Sequence, residues 1–303
     1  RRSLNLQESR ANIAYVKRNI IPEIERKIKY GIEFREYKMS EFTDIVLKKA
    51  KENKKINTFV TYEKAVNKFY SIMGDVNIEK IFVKNIENYV NSFDADFVFL
   101  QEAGYQKLGN PILQNLKFTA HNPIISFYSK YVILESGSIP FVSTGDALYA
   151  DVLVKGKRIR FVNVYLEPFQ LHKSMVKPSS NIDVNEEKAR SLIRRFIPVF
   201  KIHQEQVEIL KDFVEKSPYP VILAGDFNSV PNSFEYYTIS EVLQDCFLKA
   251  GNGFSTSFHD YKFPIRIDYI FASKEIKPLS YKVDRTLKLS DHYPVIATFS
   301  VKN

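Results

Sequence analysis

The stretch SPYPVILAGDFNSVP, residues 217–231, sets an apolar run at 220–224 directly against Gly225-Asp226-Phe227-Asn228. A short run with no polar residue, bounded by Pro and Gly, predicts a strand buried on both faces. An acid and an amide then stand at its C-terminal end. Working outward, the pattern recurs. Residues 96–101 form a short apolar run that ends at Leu100-Gln101-Glu102, and Arg266-Ile267-Asp268-Tyr269 and Ser290-Asp291-His292 occupy comparable places. An acid after a strand is commonly a helix cap or a turn residue, so no single motif decides anything. Four of them in one chain do.

Between the motifs the periodicity alternates. Residues 147–155 and 157–166 predict a hairpin turning at Lys155-Gly156-Lys157. In its second arm Ile159, Phe161, Asn163 and Tyr165 share a face, two apolar residues and then two polar ones. That order describes a strand leaving a core and entering a site. Residues 183–216 read as a helix broken at Pro198, with Val207, Leu210 and Val214 as its buried stripe. Further strands are expected at 56–62, within 123–134, at 266–271 and at 294–300. A helix is expected over 78–93, with Ile81, Ile86 and Val90 on one side. The chain is then one α/β catalytic domain over 56–303. A basic helical extension or linker precedes it over 1–55, with Ile20, Ile21, Ile24 and Ile28 at helical spacing.

Composition narrows the classes. The hydrophobic share of 45% and charged share of 26% are ordinary for a globular protein. No run of about 18 apolar residues spans a membrane. The chain starts Arg1-Arg2 rather than Met, which leaves a removed signal or anchor open. The single cysteine, Cys246, excludes an internal disulfide or a cysteine metal cluster and reads as a buried thiol. The net charge of +9 suggests nucleic acid, but residues 1–55 hold 15 basic and 8 acidic residues and so carry +7 of it. The part with the motifs is near neutral.

The ordered set Leu-Gln-Glu, Gly-Asp-Phe-Asn, Asp-Tyr-Ile-Phe and Ser-Asp-His resembles the endonuclease/exonuclease/phosphatase superfamily over about residues 56–300, and 217–299 resembles a Bacteroidetes-type bacterial subgroup whose members often carry N-terminal membrane helices. The resemblance implies a four-layer α/β/β/α sandwich, two packed mixed sheets flanked by helices. It also implies hydrolysis of a phosphate ester with Mg²⁺ or Mn²⁺. Glu102 matches the principal metal ligand, and Asp291 completes the metal site. Asp226 matches the carboxylate that orients or deprotonates water, and Asn228 and His292 match donors to phosphoryl oxygens. Asp268 matches the partner that fixes the His292 tautomer. Tyr165 stands where many members have histidine and where apurinic endonucleases have a phosphate-contacting tyrosine.

The first family motif departs from the pattern. A strand ending in Asn is expected, and this chain reads Thr61-Tyr62-Glu63. Either Glu63 takes the position and adds an anion to the metal site, or Asn67 serves. His121, His172, His203 and His259 fit no metal-ligand spacing. His259 lies near enough to Arg266 to edge the site, and Arg266 reads either as a phosphate contact or as a structural ion pair. The expected substrate is a phosphodiester, with a nuclease narrowly ahead of a phospholipid or phosphoinositide phosphoesterase. A catalytically weakened binding protein of the same fold is the contrasting class. Cytoplasmic and membrane-anchored bacterial locations both stay open.

Overall fold

The computed structural model describes residues 88–102, 116–122, 124–141, 143–169, 182–259, 265–286 and 290–301, together with 44, 47, 48, 51, 60, 63, 64, 67 and 86. The chain divides into two units, Asn19–Phe93 and Arg1–Arg18 with Asp94–Asn303. The division expected at residue 56 falls inside the first of these. In the second, the strands are β1 (Phe97–Leu100), β2 (Phe118–His121), β3 (Ser126–Ser129), β4 (Ile133–Ile139), β5 (Asp146–Val154), β6 (Lys157–Tyr165), β7 (Val221–Asp226), β8 (Gln244–Asp245), β9 (Asp268–Ala272), β10 (Lys277–Val283) and β11 (Val295–Ser300). Its helices are α1 (Ile182–Glu215), α2 (Phe234–Ser240) and α3 (Cys246–Ala250).

Six strands form a mixed sheet in the order β4-β5-β6-β7-β9-β8, in which only β6 and β7 run parallel. A parallel pair needs a long crossover, and α1 lies within it. The β5–β6 hairpin turns at Lys155 and Gly156, with φ of 48° and 82°, the two positive values of a type I′ turn. A three-stranded sheet, β1-β3-β2, and a two-stranded one, β10-β11, make up the second sheet layer.

Strand alternation builds a separate core on each face of the large sheet. Leu148, Ala150 and Val152 of β5, Ile159 and Phe161 of β6 and Ile222 of β7 pack with Phe97, Phe99, Phe127, Tyr281 and Val295 of the second sheet layer. The Phe97 and Phe161 rings lie 4.1 Å apart at their centroids. On the opposite face Val162, Val164, Val221, Leu223 and Phe271 pack on Val207, Leu210 and Val214 of α1 and Ile239 of α2. Helices, sheet and sheet thus form three layers of the expected α/β/β/α sandwich. The fourth layer of that expectation lies outside the described residues.

Two expectations need correction. Of the strand expected over 56–62 only Val60 is among the described residues, and it is helical, as are Glu63, Lys64 and Asn67, all four exposed. Their spacing of three and four residues lines one side of a helix, and the β-branched composition of 56–62 did not decide the local structure. Glu63 is thus an exposed helical residue, not the polar end of a strand. Second, α1 does not break at Pro198 but runs through it. Proline removes one backbone bond at a cost of about 3 kcal/mol, and the buried Val207, Leu210 and Val214 hold the following half in place. Ile86 and Asn88–Asn91 are helical as expected. No helix among the described residues is long and apolar enough to cross a membrane.

Candidate active site

Three strand ends meet at one edge of the large sheet. Tyr165 of β6 pairs with Asp226 of β7, and Asp226 pairs with Asp268 of β9. Side chains paired directly across strands share a face. For these three it is the face toward the second sheet layer, since Phe161 lies on the same side of β6 as Tyr165. The apolar periodicity that fills the core thus also lines up a phenol and two carboxylates where the core ends.

Glu102 arrives from the other sheet layer. The fully buried Asn163, two residues before Tyr165, bolts the two layers together. Its Nδ2 donates to the carbonyls of Leu100, at 3.2 Å, and Ser126, at 2.9 Å, and its Oδ1 accepts from Gln101 Nε2 at 2.6 Å. The end of β1 is therefore fixed to β6, and Glu102, two residues past Leu100, accepts a hydrogen bond from the buried Tyr165 hydroxyl. Glu102 has a φ of 55°, a left-handed conformation uncommon outside glycine that clusters at functional sites.

His292 closes the group. Its Nδ1 donates to Asp268 Oδ2 at 2.8 Å, and its ring meets Phe258 edge-on, with centroids 5.0 Å apart. Burial pushes the imidazolium toward losing its proton. The Asp268 hydrogen bond and charge outweigh that, with help from Asp226 and Asp291, and hold the pKa up at about 9. Asp226 is pushed up to about 8, first by burial and then by the Asp268 charge, while His292 and the Asn228 N–H pull the other way. The charge of Glu102 also reaches Asp226. Asn228, itself at a φ of 47°, donates its N–H to Asp226 Oδ1 at 2.7 Å and its Nδ2 to the Leu166 carbonyl at 3.0 Å.

Asp226, Asp268 and His292 offer atoms within 4.8 Å of one another, close enough to hold a metal ion. Within the trio His292 and Asp268 are hydrogen-bonded, and Asp226 is linked to both through their charges. Asp291 is exposed, and its carbonyl accepts from His259 N–H at 3.0 Å. Glu102 and Asp291 are both exposed and offer carboxylate oxygens, the hard donors that Mg²⁺ and Mn²⁺ favour. Glu63 lies in the other unit. Arg266 is not a phosphate contact here. Its guanidinium makes two bonds to Asp245, at 2.7 and 2.8 Å, in a buried ion pair.

Two supports gave no sequence signal of their own. Ser257 Oγ accepts the N–H groups of Ile267 and Asp268, fixing the start of β9. The Gln101–Asn163 bond depends on two sheets meeting, which no local pattern reveals.

A sequence model of the Endonuclease/Exonuclease/phosphatase family matches residues 76–292. The chain belongs to this family. Endonuclease/exonuclease/phosphatase proteins are hydrolases of phosphoester bonds. No curated protein sequence matches the chain significantly. Among solved structures it is similar to a family protein of Bacteroides vulgatus, at 21% identity and a TM-score of 0.52, covering 74% of this chain and 91% of that one. It is similar to another from Bacteroides thetaiotaomicron, at 16% and 0.54, covering 73% and 89%. It is also similar to D. rerio TDP2 complexed with single strand DNA product, at 17% and 0.51, covering 73% and 92%. At these identities the likeness shows the endonuclease/exonuclease/phosphatase fold alone.

Proposed function

We propose that this chain is a divalent-metal-dependent phosphodiesterase, with a nucleic acid as the favoured substrate. The observation that carries the reading is the trio Asp226, Asp268 and His292 gathered at one sheet edge, with Glu102 held beside it by Tyr165. A cation held by Glu102 and Asp291 would neutralise phosphoryl charge. The chain's own groups do the rest. Asp226, with its pKa near 8, accepts a proton from the attacking water. Asp268 keeps Nδ1 of His292 protonated, so that Nε2 donates to a non-bridging oxygen, and Asn228 supplies a second donor. Tyr165 fixes the Glu102 carboxylate.

The nuclease reading draws on the fold shared with a protein solved with single-stranded DNA. The near-neutral charge of residues 56–303 argues against tight nonspecific duplex binding, which rests on basic residues. A phospholipid headgroup is the second reading. It draws on Ile193, Ile197 and Phe200, exposed in a stripe along α1 beside Arg190, Arg194 and Lys201, the pattern of a membrane-surface helix. The test is hydrolysis of single- and double-stranded DNA, RNA, abasic DNA, sphingomyelin, phosphoinositides and a generic diester. Turnover of single-stranded nucleic acid above the lipids is expected. Turnover of lipids alone would transfer the assignment to the second reading, and turnover of none would overturn both.

A further inference from the structure

A histidine with no place in the chemistry lies buried behind the site. His203 of α1 is fully buried, with Nδ1 2.8 Å from Glu235 Oε1 and Nε2 2.6 Å from the carbonyl of Glu167. Both neighbours are acceptors, so the ring satisfies both only as an imidazolium that donates twice. One turn further along α1, Gln206 accepts the N–H of Glu167 at 3.1 Å. Two helix side chains therefore hold both backbone polar atoms of one residue. The Glu167 carboxylate in turn accepts the N–H groups of Thr144 and Gly145.

Followed outward, these contacts close on themselves. Glu167 follows Leu166, whose carbonyl accepts from Asn228 Nδ2 at 3.0 Å. Asn228 precedes Ser229, whose hydroxyl donates to Glu235 Oε2 at 2.8 Å. Glu235 leads back to His203. Of the side chains given a catalytic role, Asn228 alone belongs to this ring. Its left-handed backbone is one that asparagine tolerates but that surrounding structure must hold. Apolar side chains of similar volume often stabilise a fold as well as a buried ion pair does. What the pair adds here is geometry.

We infer that His203 is a positioning residue: it aims Asn228 at the phosphoryl group, through Glu235 and Ser229 on one side and through Glu167 and Leu166 on the other. The inference rests on the donor role proposed for Asn228. It extends the site to a face of α1 far from it in sequence.

A double-mutant cycle on hydrolysis of a generic phosphodiester tests it, with His203→Gln, Ser229→Ala and Asn228→Ala alone and in pairs. Ser229→Ala is nearly isosteric and opens the same ring while leaving both His203 and Glu235 in place, so it answers even if His203→Gln folds poorly. Each ring variant is expected to lower kcat by about tenfold or more with KM little changed, because small misplacements of catalytic groups cost rate. In the Asn228→Ala background the same changes should cost less than about threefold, the mark of residues acting as one unit. Ring variants with wild-type kcat, or with equal losses in both backgrounds, would overturn the positioning role. Wild-type turnover in Asn228→Ala alone would remove the donor role and the inference together.

Discussion

At the level of single residues, the pKa values of Asp226 and His292 are both raised, for opposite proposed uses. Burial and the Asp268 charge raise Asp226 to about 8, so it takes up a proton readily. Asp268 outweighs burial to hold His292 near 9, so it stays a cation and a donor. Asp226→Asn should lower turnover by at least about a hundredfold, in the range of general acid–base groups, and a steady-state assay of the folded variant checks it. Near-normal turnover would mean that another group activates water. Glu235 gives a prediction on stability. Burial would raise its pKa, but hydrogen bonds from His203, its own N–H, Ser229 and Ser233 outweigh burial and bring it from 4.5 to about 2. A depressed folded-state pKa contributes stability above the ordinary value and loses it as the pH falls toward the folded one. Up to about 3 kcal/mol should disappear between pH 4.5 and 2. Urea midpoints over that range should fall more steeply for wild type than for Glu235→Gln, and equal slopes would contradict this. His203 shows a limit of sequence reading. Its partners lie 32 and 36 residues away, and nothing in its own neighbourhood separates a buried ion pair from a surface histidine.

Among elements, β6 has the widest duties. Phe161 fills the inter-sheet core, Asn163 bolts on β1, and Tyr165 holds Glu102. The two-residue period made this sequence legible: apolar, apolar, polar, polar on one face is what the strand shows. What Asn163 bonds was not legible, because its partners lie on β1 and β3. Asn163→Ala should cost at least about 2 kcal/mol, since it leaves buried polar partners unmatched, and it should also weaken metal binding at Glu102. Chemical denaturation beside a metal titration measures both, and unchanged values would show that the sheets meet without it. Reading the elements failed where propensity stood alone. Residues 56–62 have strand composition but no partner signal, and Val60 is helical. β10 escaped notice because Pro278 interrupts it. Among the described strands it pairs with β11 alone, an edge position where proline is tolerated.

On the scale of the whole molecule, the order of motifs along the chain foretold the architecture better than any local pattern. Glu102, Asp226, Asp268 and His292 are separated by 124, 42 and 24 residues, yet each lies at or beside a strand end, and two packed sheets bring those ends to one place. Charge follows a different division, with most of the excess in residues 1–55. This sheet edge is proposed to perform metal-dependent phosphodiester hydrolysis. Its most direct measurement is turnover of a generic phosphodiester in excess chelator and again after Mg²⁺ or Mn²⁺ is restored, with His292→Ala run in parallel. Activity should vanish in chelator and return with the metal. The variant should stay at least about a hundredfold slower throughout, as expected for loss of an oxyanion donor. Undiminished turnover in chelator, or wild-type rates from His292→Ala, would contradict the account.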